Sequence, residues 1–320
     1  MRERLRLPAE ALPAVQTIGR NEPAAPVVLP DQASVGDVLQ HLGLSTVDLE
    51  ETLAARPSKQ DDPELWWLLE HCHRQLVARM GEPGMLPPWP DLTHLGAAGR
   101  YFYVWVLIAA LPEVRRYHTE RAIPDDLSWR ILGQLAPQMA NRRVVFGEGG
   151  LHTHNWMTVH FRGVIYALGR LLFERTSVDF DQATGPAPLP EKGEPALGIH
   201  IPSGRLTPES CDASLNAAPE FFAAHFPDEP YRFGTCSSWV LDPALNEYLA
   251  ADTNILRFQR RFTLLPPGED NSDADTVEAV FKRPLTELDT LPTDTSLQRG
   301  VIKHIRAGRH WQYRTGWLRL

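Results

Sequence analysis

Between Ser34 and Met139 the apolar residues recur every three or four positions, whereas beyond Leu168 they mostly alternate. The first spacing paints one stripe on a helix and the second paints one face of a strand, so the chain divides into a helical part and a mixed part. In the helical part, DDPELWWLLEHCHRQLVARMG has Asp62 as cap, Pro63 in the first turn and Gly81 as stop. STVDLEETLAARP is capped by Ser45, with Val47, Leu49 and Leu53 repeating on the inside. Further helices fall around Tyr101–Leu111, Pro124–Met139 and Trp156–Leu168. The expected organisation is α+β: an irregular Pro- and Ala-rich arm at 1–29, a mostly helical domain at 30–168, and a mixed, mostly antiparallel α/β domain at 169–320.

In the second domain LLFERTSVDF reads as a strand and TGPAPLPEKGEP as a loop. PALGIHIPSG is a strand with Leu197, Ile199 and Ile201 on one side and His200 opposite. A helix is expected from the Thr207 cap and Pro208 through Phe222, then a strand, YRFGTCSSWVLD, with Thr235, Ser237 and Trp239 on one face. From Asn254 to Gly308 the pattern predicts two strands, NILRFQRRFTLL and TVEAVFKR, joined by the turn PPGEDNSDAD. The helix TSLQRGVIKHIRAG follows, with Leu297, Val301, Ile302 and Ile305 as its apolar stripe and Asp294 or Thr295 as its cap. A last strand lies in HWQYRTGWLRL.

The 320 residues carry a net charge of −8, which argues against a general nucleic-acid binder. A hydrophobic content of 43% suffices for packed cores. Cys72, Cys211 and Cys236 are far apart and odd in number, which fits reduced thiols in the cytoplasm. MRERLRLPAE is not followed by an apolar run of the secretory kind, and YFYVWVLIAAL is too short to span a bilayer, so a soluble protein without a membrane partner is expected. His152 and His154 lack an evident third ligand, and His71, Cys72 and His73 diverge on a helix, so no metal site is expected. GEGG at 147–150, after the strand-like RRVVF, has no phosphate-loop pattern and reads as a turn.

Several residues can carry chemistry. Arg257, Gln259 and Arg261 share one strand face, which holds a phosphate or carboxylate or is simply a solvated face. Arg257 and Gln259, with Trp239, are the candidate substrate contacts. His200 is the candidate general base, because an ammonium must lose a proton before it attacks a carbonyl, and Glu209 or Asp212 on the next helix can orient it. Cys236, Ser237 and Ser238 set a thiol among hydroxyls, with Ser237 as the second catalytic candidate; buried strand cysteines usually only pack.

The runs IHIPSG, CSSWVLDPAL, NILRFQRRF and SLQRGVIKHIRAGRHW resemble the GNAT-like C-terminal domain of a bacterial group of predicted N-acyltransferases. HFRGVIYALGRLLFER resembles the joint to that group's own helical N-terminal domain. The resemblance implies transfer of a short acyl group from acetyl-CoA or another acyl-CoA to a small-molecule amine by direct attack. In that fold a strand splays from its neighbour and pairs with the pantetheine arm, and the amides of a glycine-rich loop hold the pyrophosphate at the start of the next helix. On this chain it implies Phe281, Lys282 and Arg283 as the end of the splayed strand, and Thr295, Ser296, Gln298 and Arg299 as the phosphate-binding helix start. The loop LTELDTLPTDTSLQRG is longer than the family's and lacks its glycines. That departure supports a rival reading, a GNAT-shaped protein that binds a ligand or partner without turnover. A third reading takes the acyl group from another donor, such as an aminoacyl-tRNA.

Overall fold

The structure, a computed structural model, describes residues 7, 12–19, 26–181, 185, 187–268 and 271–320, in two units that divide between Tyr166 and Ala167. The first unit contains α1 (Leu12–Gly19), α2 (Val35–His41), α3 (Thr46–Ala54), α4 (Pro63–Ala78), α5 (Ala97–Ala109), α6 (Leu111–Glu120), α7 (Asp125–Leu132), α8 (Leu135–Phe146) and α9 (His154–His160). From Tyr101 to Ala109 every residue of α5 is buried, so this helix, apolar all round, forms the centre of the unit. Its polar tips are satisfied there: Trp105 Nε1 donates to Thr52 O at 3.1 Å and Tyr103 Oη to Pro90 O at 2.5 Å. Asp48 and Glu51 on α3 both receive Arg143 Nη2 of α8, at 2.6 and 2.8 Å.

Three expectations change here. Most of the 1–29 arm lies outside the described residues, but Leu12–Gly19 is helical because Ile18 buries in the core. The strand-like RRVVF is the last turn of α8, closed by Gly147 at φ 73°, which leaves GEGG as the expected turn. The helix expected over Trp156–Leu168 ends at His160; Gly163 turns the chain at φ 65° and Ile165–Leu168 is a strand.

The second sheet-bearing part has β1 (Ile165–Leu168), β2 (Leu171–Ser177), β3 (Pro195–His200), β4 (Phe233–Ser238), β5 (Thr263–Leu264) and β6 (Arg314–Arg319), in the order β1-β2-β3-β4-β6-β5. β2–β3, β4–β6 and β5–β6 are antiparallel and β3–β4 is parallel. α10 (Pro208–His225) is the crossover between the parallel strands, capped by Thr207, whose side chain accepts from Ser210 N. α11 (Asn254–Gln259), α12 (Asp273–Phe281) and α13 (Ser296–Arg306) complete the unit. Leu256, Val277, Val301, Ile302 and Trp311 gather in the core that these three helices share.

Both expected strands of the Asn254–Arg283 stretch are largely helical. NILRFQRRF places Leu256 and Gln259 inward at helical spacing, and only Thr263–Leu264 pairs in the sheet. TVEAVFKR buries Val277 and packs Val280 and Phe281, three and four residues on, against the same core. Two acidic residues, Asp273 and Asp275, favour the start of that helix. Part of the expected turn between them, Glu269 and Asp270, lies outside the described residues.

Burial pushes the imidazoles of His118 and His154 down from 6.5 to about 4 in the helical unit. The unfolded chain therefore takes up these protons first as acid is added. Their contribution to stability is complete above pH 6.5 and is lost as the pH falls toward 4. Thermal unfolding should show a midpoint that drops across this window, with a shallower drop in His118→Asn. An equal slope in that variant refutes the assignment.

Candidate active site

α10 makes β3 and β4 run parallel, and their shared ladder is short. It joins Ala196 to Phe233, Leu197 to Gly234 and Gly198 to Thr235, then stops. Beyond that point β3 continues only on β2, with Ile199 opposite Phe173 and His200 opposite Leu172. β4 continues only on β6, with Cys236, Ser237 and Ser238 opposite Gly316, Thr315 and Arg314. The two strands thus leave a wedge between 199–200 and 236–238. Partners across a ladder point to the same face, so His200, two residues past Gly198, and Ser237, two residues past Thr235, face the same way across the wedge.

His200 is not alone on its face. Its Nε2 lies 2.8 Å from Glu174 Oε2 on β2, a close imidazole–carboxylate pair. Ser237 Oγ accepts from Thr315 Oγ1 at 3.2 Å. The opposite face is apolar: Leu197, Ile199, Phe173 and Cys236 are all buried. Burial pushes the Cys236 thiol up to about 12, so it is not a nucleophile at neutral pH.

The loop that leaves the wedge, Ile201–Leu206, leads directly into α10. Arg170 holds it from below, donating to Pro202 O at 2.6 Å, Gly204 O at 3.0 Å and Arg205 O at 2.9 Å. Lys282 Nζ reaches Ser203 Oγ at 3.1 Å, and Arg205 is exposed. Arg261 bonds Asp212 at 2.6 Å and Pro208 O at 3.3 Å at the start of the same helix. Cations and a helix N-terminus thus meet at the mouth of the wedge, an arrangement suited to a phosphate.

The family described as N-acyltransferase N-terminal domain matches residues 33–163, and that described as GNAT-like C-terminal domain matches 165–318. A crystal structure of a mutant acyltransferase in complex with octanoyl-CoA is 41% identical, covers 100% of this chain and 98% of its own, and superposes with a TM-score of 0.88. An acyltransferase in complex with decanoyl-CoA and teicoplanin is 40% identical at a TM-score of 0.87, again covering 100% and 98%. A third, in complex with decanoyl-CoA, is 39% identical at 0.89 over the same coverage. The chain belongs to this two-domain acyltransferase family. No curated protein sequence matches it.

The structure sorts the sequence candidates around this wedge. His200 and Ser237 are brought together on one face. Trp239 is not on the strand; it opens a 3-10 turn and packs against the helical core. Gln259 is buried and donates to Asp242 O at 2.9 Å, so it does not share a face with the exposed Arg257. Arg261 turns to Asp212, which removes that aspartate as an orienter of His200. Phe281, Lys282 and Arg283 end a helix, with Lys282 left-handed at φ 55°, and so offer no strand edge. At α13 the Thr295 side chain accepts from Gln298 N and the Gln298 side chain accepts from Thr295 N, closing a capping box; Ser296 lies inside it. Arg299 donates to the carbonyls of Thr293 and Asp294 at 2.8 and 3.0 Å.

Glu174, Gly198, Arg170 and Ser203 were not foreseen. Their only signal was that Leu172, Glu174 and Thr176 share one side of an alternating run. Among the described residues no group of three or more His, Cys, Asp or Glu has the geometry to hold a metal ion. Each unit also holds a cavity: one of about 560 Å³ lined by Tyr103, Arg142, Phe146 and His154, and one of about 340 Å³ beside Asp242 and His310.

If Cys236 only packs, iodoacetamide should leave it unlabelled in the folded protein, and no acyl-enzyme should appear by intact-mass spectrometry after mixing with an acyl-CoA. A stable acyl adduct on Cys236 would contradict direct transfer.

Proposed function

We propose that this acyltransferase moves an acyl group from acyl-CoA to the amine of a small-molecule acceptor, without an acyl-enzyme. The observation that carries the reading is the wedge between β3 and β4, flanked on one face by His200 and Ser237 and opening at the Pro202–Thr207 loop. The pyrophosphate sits at the α10 N-terminus with Lys282 and Arg205, and the pantetheine arm runs into the wedge along the unladdered strand edges. We place the phosphate here rather than at the start of α13 because Lys282 reaches this loop and the exposed Arg205 lies on it, whereas Arg299 is turned to the carbonyls of Thr293 and Asp294.

His200 passes the proton of the acceptor ammonium on to solvent, and the freed amine attacks the thioester carbonyl, giving the proton it sheds on C–N bond formation to the now neutral His200. The C–N bond forms, a strand amide stabilises the oxyanion, and the C–S bond breaks to release the thiolate. Ser237, across the wedge, is placed on the leaving side. Relatives that bind octanoyl- and decanoyl-CoA favour a medium-chain donor over acetyl-CoA, and one bound to teicoplanin favours a large amine-bearing acceptor of that kind. Three buried free cysteines suit the reducing cytoplasm.

Calorimetric titration with decanoyl-CoA tests the placement. Lys282→Ala should weaken Kd by about tenfold, the value of one charged phosphate contact, while Arg299→Ala leaves it within about twofold. The reverse pattern returns the phosphate to α13, and no binding of any acyl-CoA ends the donor assignment. His200→Ala should lower kcat by about 100-fold or more at unchanged donor affinity.

A further inference from the structure

We propose that Glu174 is a positioning residue that fixes the tautomer of His200, so that Nδ1 is the atom that receives the amine proton, and that the lack of a bulky side chain at Gly198 leaves room for the pair. The proposal rests on the reading of His200 as the base. An ionised carboxylate only accepts hydrogen bonds, so the imidazole nitrogen 2.8 Å from Glu174 Oε2 carries the proton. That nitrogen is Nε2, and a neutral imidazole with Nε2–H has its lone pair on Nδ1.

The strand register dictates this pairing. Leu172 lies opposite His200 and Glu174 opposite Gly198, so Glu174 and His200 are diagonal neighbours on one face. A diagonal pair meets only if the residue between them is small. A Cβ at position 198 would sit 3.4 Å from Glu174 Cβ and 3.5 Å from His200 Nε2, so a methyl fills the contact and a branched side chain displaces the pair. The Glu174 side chain is 13% exposed against 35% for His200, which puts the carboxylate behind the ring.

The chemistry closes on this arrangement. As the amine attacks, its proton passes to Nδ1 and the ring becomes an imidazolium whose Nε2–H still faces Glu174. The carboxylate stabilises that charge without taking the proton. When the C–S bond breaks, the Nδ1 proton goes to the thiolate, giving the CoA thiol and restoring the neutral ring.

The direct test is ¹⁵N NMR of histidine-labelled protein, with the His200 signals assigned by their loss in H200A. The wild-type ring should be the Nε2–H tautomer. E174Q should keep it, because the amide oxygen still accepts, and E174A should lose it. In parallel, kcat should fall by about 100-fold in E174A, by less in E174Q, and again in G198V, with KM for decanoyl-CoA within about twofold in the Glu174 variants. An Nδ1–H tautomer in the wild-type protein overturns the proposal without needing any variant to fold. Full kcat in E174A together with an inactive H200A overturns the positioning role alone, whereas full kcat in H200A overturns the base assignment on which it rests.

Discussion

The wedge depends on one backbone event: the parallel pairing of β3 and β4 ends at Gly198 and Thr235 while both strands go on. Two parallel strands need a long crossover, and α10 supplies it, starting where β3 has already left β4. The N-terminus of that helix, the loop before it and the open strand edges are therefore consequences of a single connection. Each of these two central strands stays paired with its other neighbour, β3 with β2 and β4 with β6. The wedge persists because both of its walls are pinned from outside.

Much of this was legible from spacing. The start of α4 at Asp62 and Pro63, the Thr207 cap, the Thr295 cap and the alternation that set His200 opposite Leu197 and Ile199 all rest on local rules, and the structure has them; α4 itself ends at Ala78, before the expected stop at Gly81. Asn254–Arg283 was not legible, because Leu256, Phe258 and Phe262 satisfy a two-residue period while Leu256 and Gln259 satisfy a helical one. Tertiary burial decided, and it chose to bury a glutamine whose amide is spent on the carbonyls of Val240 and Asp242. Reading TVEAVFKR as a strand gave Phe281, Lys282 and Arg283 a strand edge, where the structure has the end of a helix. Glu174 was hidden for another reason. The segment between β2 and β3 is long, and no local rule gives the register that puts Glu174 beside His200.

Two buried carboxylates hold the wall of the wedge that carries Ser237. Asp242, just past the end of β4, accepts from Ala244 N at 2.9 Å and from Gln312 N at 3.0 Å. Asp273, at the start of α12, accepts from Trp311 N at 2.8 Å and pairs with His310 Nδ1 at 2.7 Å. Both therefore grip the Trp311–Gln312 segment, the lead-in to β6. Backbone amides given to a buried carboxylate are strong, charge-assisted bonds, and breaking one leaves the charge buried without its donor. Their joint effect is to fix where β6 begins, and so the register that sets Thr315 against Ser237. On the opposite wall the Glu174–His200 pair lies on strands joined by a six-residue antiparallel register. The wedge is thus framed by local polar anchors on one side and by a regular ladder on the other. A change at Asp242 or Asp273 would reach the wedge by moving β6, which separates those carboxylates in kind from Glu174, whose partner is the proposed base itself.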